Sequence, residues 1–382
     1  MFGDISIEVF LRDYWQKKPL LIRNAFPDFE SPITPDELAG LACETDTARI
    51  VIEKGGKHAW EVRHGAFDDA DFTNLPETHW TLLVNDTDQH LAELKAVMEP
   101  FRFIPDWRID DLMISFAVEG GSVGPHVDEY DVFLIQAQGQ RRWQITTQPA
   151  KPDNFLAGLD LRIMRDFEAE QEWVVNPGDM LYLPPNVPHY GVALNECMTY
   201  SVGFRAPSQA EMLENLVENL LEDPRLKQRF NDSERECQAH PGELTAGDME
   251  RLIDFVVDAL PQDTQALQLW LGKYLSQPKV DNNDTLEPSC LSKAELIKLI
   301  NRRATFEKLP GIRFLYFIND DEICLFANGT LHRAAAEQLQ FIQYLCNTTI
   351  FKHNSYKTYL QDKNALELWR DLLEAGLINI NN

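Results

Sequence analysis

From residue 112 to residue 207 the chain is a succession of short apolar stretches, each closed by a turn signal. LMISFAV runs into GGSVGP, DVFLIQA into QGQ before RRWQITT, and EWVV into NPGD; MLYLPP, HYGVAL and MTYSVGF complete the series. Segments this short and this close leave no room for the helical crossover that parallel strands require. The fold class is therefore mainly β, a barrel or sandwich rather than a doubly wound sheet.

The flanks read differently. At the start, Ile7, Phe10, Leu11, Tyr14 and Trp15 recur at helical spacing and stop before Pro19, and Leu20 to Ile22 follow as a short strand. TPDELAGLA after residue 33 carries an N-cap, a proline at the first helical position and acidic residues in the first turn, which predicts a second helix. Residues 50 to 83 mix polar and aromatic side chains and yield no clear element. Beyond Pro207, Met212, Leu213, Leu216, Leu220 and Leu221 share one helical face, and further helices are expected over 249–260 and 264–275. The breaker-rich SQPKVDNNDTLEPS, residues 276–289, is the linker candidate. The last part reads as a helix (LSKAELIKLINRR), two strands (IRFLYFI and EICLFA), a turn at Asn328 and Gly329, and helices over 334–345 and 365–373, the order of a winged helix.

Charge narrows the partners. With 61 acidic against 35 basic side chains, the formal net charge is -26, a field that repels phosphates and attracts cations. The stretch Arg333 to Cys346, where a recognition helix would sit, is poor in lysine and arginine, so direct nucleic acid binding is not expected and the module reads as a protein-contact or dimer-support element. The six cysteines are scattered without a CxxC pair, which predicts reduced thiols. The N-terminus lacks the basic and apolar regions of a secretory signal, and no apolar run reaches the roughly 18 residues of a membrane span. The expectation is a cytoplasmic protein without membrane contact.

Within the β region, GSVGPHVDEYDVF places His126 and Asp128 two residues apart after a glycine turn. In an extended backbone, i and i+2 project to one side, so an imidazole nitrogen and a carboxylate oxygen can share a target. Two histidines and one carboxylate form the facial triad of non-haem iron(II) oxygenases, although manganese or nickel also suits such a set. Among the nine histidines, His189 in PGDMLYLPPNVPHYGVAL has the best context, following a strand and a proline-rich turn. His58, His64, His79, His90, His240, His332 and His353 read as surface or structural histidines. The glycines of EGGSVGP do not form a dinucleotide loop, because Pro125 and a strand follow where a helix would have to begin.

GPHVDEYDVF with PGDMLYLPPNVPHYGVAL, preceded by FLRDYWQKKPLLI, resembles the JmjC-type cupin (double-stranded β-helix) fold of 2-oxoglutarate-dependent oxygenases. DWRIDDLMISFAV and YSVGFRAP narrow the resemblance to the bacterial ribosomal oxygenases. The resemblance implies His126, Asp128 and His189 as catalytic iron ligands, with Arg141 of GQRRW binding the far carboxylate of 2-oxoglutarate; Ser115, on the strand before the turn, is either a second donor to that carboxylate or a buried structural serine. Arg142 should point to the opposite face. It implies Fe(II), 2-oxoglutarate and molecular oxygen as cofactor and cosubstrates, and hydroxylation of an arginine in a basic ribosomal protein, the sixteenth of the large subunit. Glu119, Glu129 and Asp131 are candidates for receiving that substrate at the mouth, against a plainer reading as solvated turn residues.

It also implies three parts: a catalytic domain over 1–207, a helical dimerisation segment over 208–280 and a winged-helix-like α+β domain over 281–382. A homodimer is expected, although packing of the helical faces within one chain would leave the same pattern. The chain departs from general cupins at Asn186, where glycine is usual, and from the family's frequent lysine at Arg141. Two rival functions keep part of this evidence: an N-methyl demethylase with the same site, and a cupin sensor that responds to a small acid through its winged helix.

Overall fold

The computed structural model describes residues 2–55, 60–159, 161–278, 292–320 and 322–381, and the chain divides into two compact units, Met1–Ala206 and Pro207–Asn382. The first unit opens with α1 (Ile7–Asp13), β1 (Leu20–Ile22) and α2 (Pro35–Glu44). At Thr34 the hydroxyl accepts from the Glu37 N–H and the Glu37 carboxylate accepts from the Thr34 N–H, a capping box that fixes where α2 starts. Then come β2 (Ala48–Glu53), β3 (Trp60–His64), α3 (Asp69–Thr73), β4 (Trp80–Val84) and α4 (Ala92–Met98). The run of apolar stretches becomes seven strands: β5 (Ile109–Ala117), β6 (Val132–Gln138), β7 (Arg141–Ile145), β8 (Gln171–Val175), β9 (Met180–Leu183), β10 (His189–Ala193) and β11 (Cys197–Phe204).

These strands form two antiparallel sheets, one of eight strands in the order β1-β9-β6-β11-β5-β4-β2-β3 and one of three in the order β10-β7-β8. The period of two sorts the larger sheet into faces. Ile50, Ile52, Leu82, Val84, Leu112, Ile114, Phe133, Ile135, Tyr182, Tyr200 and Val202 lie on one face and join Phe10 of α1, Leu38 and Ala42 of α2 and Leu94 and Val97 of α4 in a core. Each such fully buried large side chain contributes about 2 kcal/mol of burial energy. The opposite face turns toward the smaller sheet. Val132, Leu134, Leu181 and Leu183 meet Trp143, Ile145 and Val175 there in a second core, and polar residues share that face, as described below.

Strands β2, β3 and β4 lie in the region that gave no clear element from sequence. Their pairing explains the silence: β2 lies between β3 and β4, and β4 pairs with β5, so neighbours rather than a clean alternation decide their conformation. The NPGD turn is a built junction. Gly178 adopts φ +89, and a Cβ there would sit 2.7 Å from the Phe26 carbonyl oxygen. Next to it the Asp179 carboxylate accepts from the Asn24 and Asn176 N–H groups at 2.9 and 3.0 Å and pairs with Arg23 at 2.7 Å. That ties the end of β1 to the start of β9.

The second unit contains α5 (Gln209–Leu221), α6 (Ala246–Val257), α7 (Thr264–Ser276), α8 (Lys293–Asn301), β12 (Thr305–Lys308), β13 (Phe314–Asn319), β14 (Glu322–Ala327) and β15 (Thr330–Ala335). It ends with α9 (Leu339–Asn347), β16 (Ile350–Phe351), α10 (His353–Tyr356), α11 (Lys363–Glu374) and β17 (Ile378–Asn381). Two three-stranded sheets, β13-β14-β15 and β16-β12-β17, enclose a core around Trp369, Phe306, Phe351 and Tyr356. Residues 334 and 335, expected to begin a helix, instead end β15, because Ala334 pairs with Ile323 across the ladder. Gly272 of α7 lets the ring of Phe326 on β14 lie against the helix backbone. Most of the linker candidate, residues 279–289, lies outside the described residues. Among the described residues no helix is long and apolar enough to cross a membrane.

Candidate functional site

His126 and Asp128 do not lie in a regular strand. The backbone at His126 is extended and forms an isolated antiparallel bridge with His189, the N–H of each donating to the carbonyl of the other at 3.0 Å. That bridge brings the first residue of β10 beside the glycine turn. Three devices hold the turn. Gly124 adopts φ +79, and a Cβ there would lie 2.7 Å from Cγ2 of Ile163. Met164 N–H donates to the Pro125 carbonyl at 2.7 Å, and Asn186 N–H donates to the Asp128 carbonyl at 2.8 Å. Asn186 itself adopts φ 64, so this asparagine takes the left-handed conformation for which cupins commonly use glycine.

The two imidazole rings stand 4.1 Å apart, centroid to centroid. Each Nδ1 lies 2.9 Å from a backbone carbonyl, Gly124 for His126 and Val187 for His189. A carbonyl only accepts, so both Nδ1 atoms carry a proton, and Nε2 is the nitrogen left to take a metal in each ring. Those Nε2 atoms face the Asp128 carboxylate, at 3.8 Å from His126 and 3.5 Å from His189. Burial, with a smaller contribution from the neighbouring His126, pushes His189 down to about 4, so its imidazole is neutral near pH 7. Two imidazole nitrogens and one carboxylate oxygen within 4.8 Å of one another fit a divalent ion, and backbone-oriented Nδ1–H groups are the usual support for such ligands.

The three residues line a cavity of about 280 Å³ between the two sheets. Arg141 and Ser115 line it as well, only 3% and 4% exposed. On β7 the alternation buries Arg141, Trp143 and Ile145 and leaves Arg142 partly exposed on the other face. Arg141 makes no ion pair to a carboxylate among the described residues; Nη2 lies 3.7 Å from Cys197 Sγ, and Nε has no partner. A buried, unpaired guanidinium is costly unless an anion reaches it. The cavity thus presents a metal-binding constellation and, separately, a cation for a carboxylate, and both fit a 2-oxo dicarboxylate.

Sequence reasoning missed much of the lining. Thr81 and Asn85 on or beside β4, Arg49 on β2, Thr199 and Ser201 on β11, and Asp111, Met113 and Tyr130 all face the cavity. The period of two on β5, which sets Asp111 and Met113 in line with Ser115, was the signal available for them.

Of the acidic residues considered for the mouth, Asp131 is fully buried. Its carboxylate accepts from Tyr182 Oη at 2.6 Å and Gln16 Nε2 at 3.0 Å and pairs with Arg108 at 3.2 Å, so it holds the backbone after Asp128 rather than meeting substrate. Glu129 pairs with Arg162 at 2.9 Å in solvent. Glu119 accepts from the His79 N–H through its backbone carbonyl. The remaining histidines stand apart from the site: His64 ends β3, His332 lies within β15, and His353 starts α10. His58 lies outside the described residues.

Comparison with known proteins agrees with this architecture. The JmjC domain family matches residues 96–212, and the ROXA-like winged helix family matches residues 259–379. The chain is 38% identical over 372 residues to the ribosomal protein uL16 3-hydroxylase of Escherichia coli, an alignment that covers 96% of this chain and 95% of that one. It is 40% identical over 224 residues to the probable ribosomal oxygenase of Haemophilus influenzae, covering 58% and 55% of the two chains. The solved structure of E. coli ycfD matches with a TM-score of 0.85 at 33% identity over 99% of both chains. A structure of YcfD with cobalt and 2-oxoglutarate matches with a TM-score of 0.81 at 33% identity, again over 99% of both. With this likeness along nearly its whole length, and a JmjC domain joined to a ROXA-like winged helix, the chain belongs to the JmjC-type ribosomal oxygenase family.

Proposed function

We propose that the protein is a 2-oxoglutarate- and Fe(II)-dependent hydroxylase of a basic ribosomal protein, with uL16 as substrate and an arginine as the target residue. The observation that carries this reading is one cavity holding both His126, Asp128 and His189 within ligating distance and the buried guanidinium of Arg141. The uL16 assignment rests on the name of the E. coli relative. Bound iron(II) supplies a centre at which oxygen and 2-oxoglutarate react, giving succinate, carbon dioxide and one oxygen atom for a substrate C–H bond.

The chain's own residues do the rest. His126, Asp128 and His189 would hold the ion through two imidazole nitrogens and one carboxylate oxygen. Arg141 offers a planar fork to the far carboxylate of 2-oxoglutarate, with the Ser115 hydroxyl beside it, and so sets where the 2-oxo end lies. Asp111, Met113, Tyr130 and Ser201 bring a buried carboxylate, two hydroxyls and apolar surface to the same cavity, a lining suited to a long cationic side chain.

Purified protein with iron(II), 2-oxoglutarate and a uL16 peptide is expected to form succinate together with peptide heavier by one oxygen atom. Release of formaldehyde from an N-methylated peptide, with no oxygen retained, would instead select the demethylase. The winged helix supports the hydroxylase over a DNA-binding sensor, since α9 (LQFIQYLCN) contains no lysine or arginine.

Residues 1–207 are assigned the chemistry, 208–280 self-association, and 281–382 a protein contact. Self-association is supported by apolar side chains left in solvent on the first two helices of the middle segment, among them Leu213 and Leu221 on α5 and Ile253 and Val256 on α6. Ile253→Glu with Val256→Glu should convert a dimer to a monomer in sedimentation analysis, because a charge in an apolar interface costs several kcal/mol.

A further inference from the structure

Three buried polar atoms of residues lining the cavity have no hydrogen-bond partner: Nε of Arg141, Oγ1 of Thr81 and Nε1 of Trp143. Protein interiors satisfy nearly all such groups, so three around one cavity call for a common explanation. Arg141 Nε and Trp143 Nε1 can only donate and a threonine hydroxyl can donate, so the matching ligand is rich in acceptors.

The sheet register places them. Thr81 on β4 lies opposite Ala117 on β5, and Ala117 lies opposite Cys197 on β11, the residue whose sulfur is met by Arg141 Nη2 at 3.7 Å. Thr81 and Cys197 therefore stand on either side of the Ala117 methyl, two strand spacings or roughly 10 Å apart at the backbone, and the guanidinium reaches Cys197 from the facing sheet. Thr81, Ser115 and Arg141 all line the one cavity. Trp143 lies two residues along β7 from Arg141, between it and the metal-binding constellation. Its ring is 5.7 Å from the Arg141 Cζ and 5.8 Å from the His189 ring. The six-membered edge of the indole rests on Gly191, where a Cβ would come within 2.6 Å of Cζ3. Nε1 sits on the other edge and so is turned away from β10.

We propose that Thr81 and Trp143 are cosubstrate-binding residues, the Thr81 hydroxyl donating to the carboxylate held by Arg141 and the Trp143 indole N–H donating to another oxygen of the same 2-oxoglutarate. This rests on the reading that the cavity takes 2-oxoglutarate. It makes the site a set of donors spread along the molecule, which selects a dicarboxylate over a monocarboxylate.

Thr81→Val and Trp143→Phe keep the side-chain shape and delete one donor each. Binding of 2-oxoglutarate to manganese-loaded protein, followed by calorimetry without oxygen, is expected to weaken about tenfold to a hundredfold in either variant, as for loss of a hydrogen bond to a charged group. The urea midpoint of the metal-free variants should stay level or rise, because an unpaired buried donor is removed. A variant that binds 2-oxoglutarate as tightly as wild type, or that loses binding only along with stability, removes that residue from the site. Should wild type bind and both variants match it, this inference fails alone; should wild type not bind 2-oxoglutarate at all, the functional reading fails with it.

Discussion

Asp128→Ala is expected to reduce hydroxylation by more than a hundredfold while leaving the metal-free protein about as stable as wild type. Changing a group that merely supports a metal ligand costs about 10- to 100-fold, and removing a ligand should exceed that. The Asp128 carboxylate faces two Nε2 atoms at 3.5 and 3.8 Å, and His189 is neutral near pH 7, so little attraction is lost on folding when the carboxylate goes. The diagnostic is the response to metal. At a hundredfold excess over its dissociation constant, a metal adds about 2.7 kcal/mol to the stability of a protein that binds it only when folded. Wild type should show that gain in thermal unfolding with manganese, and Asp128→Ala should show almost none. A variant that keeps both the gain and the turnover would remove Asp128 from the ligand set.

The second large effect concerns Arg141, where function and stability should move in opposite directions. Arg141→Met is expected to raise the KM for 2-oxoglutarate about 30-fold or more, since truncating one partner of a buried charge pair costs about 2–5 kcal/mol. The same change should raise the stability of the ligand-free protein by about 1 kcal/mol, because it takes away a buried cation whose Nε has no partner. Arg141→Lys keeps the charge and loses the fork, so it should fall between the two. Steady-state kinetics over a range of 2-oxoglutarate, with urea unfolding of the metal-free proteins, reads both effects. A structural arginine would behave the other way, with KM unchanged and stability reduced.

How far the sequence foretold the molecule follows from where the cavity lies. Strands β5, β6, β9 and β11 were legible because apolar residues dominate them; all eight residues of β11 are buried, as are most of those of its neighbours β5 and β6. Strands β2 to β4 were not, and the same cavity supplies part of the reason. On their inward face stand Arg49 and Thr81, with Asn85 just past β4, where apolar side chains would otherwise mark an alternation. Local rules fail most where a site has been built.

The histidine and aspartate pair was read as two side chains on one face of a strand. They do converge, but through a bridge to His189 and a turn held by Gly124, Met164 and Asn186. Tertiary pairing of this kind has no signature in the tripeptide itself. Asp131 shows the converse error, since a carboxylate in a run of polar residues reads as solvated until Arg108, Tyr182 and Gln16 are found around it.

The mass of uL16 from ribosomes of three strains tests the central claim most directly: cells with the gene, cells without it, and cells carrying only the Asp128→Ala form. The account predicts uL16 heavier by one oxygen atom in the first strain alone, with the added atom on an arginine-containing peptide. The same mass in all three strains, or an oxygen that persists with Asp128→Ala, would contradict it.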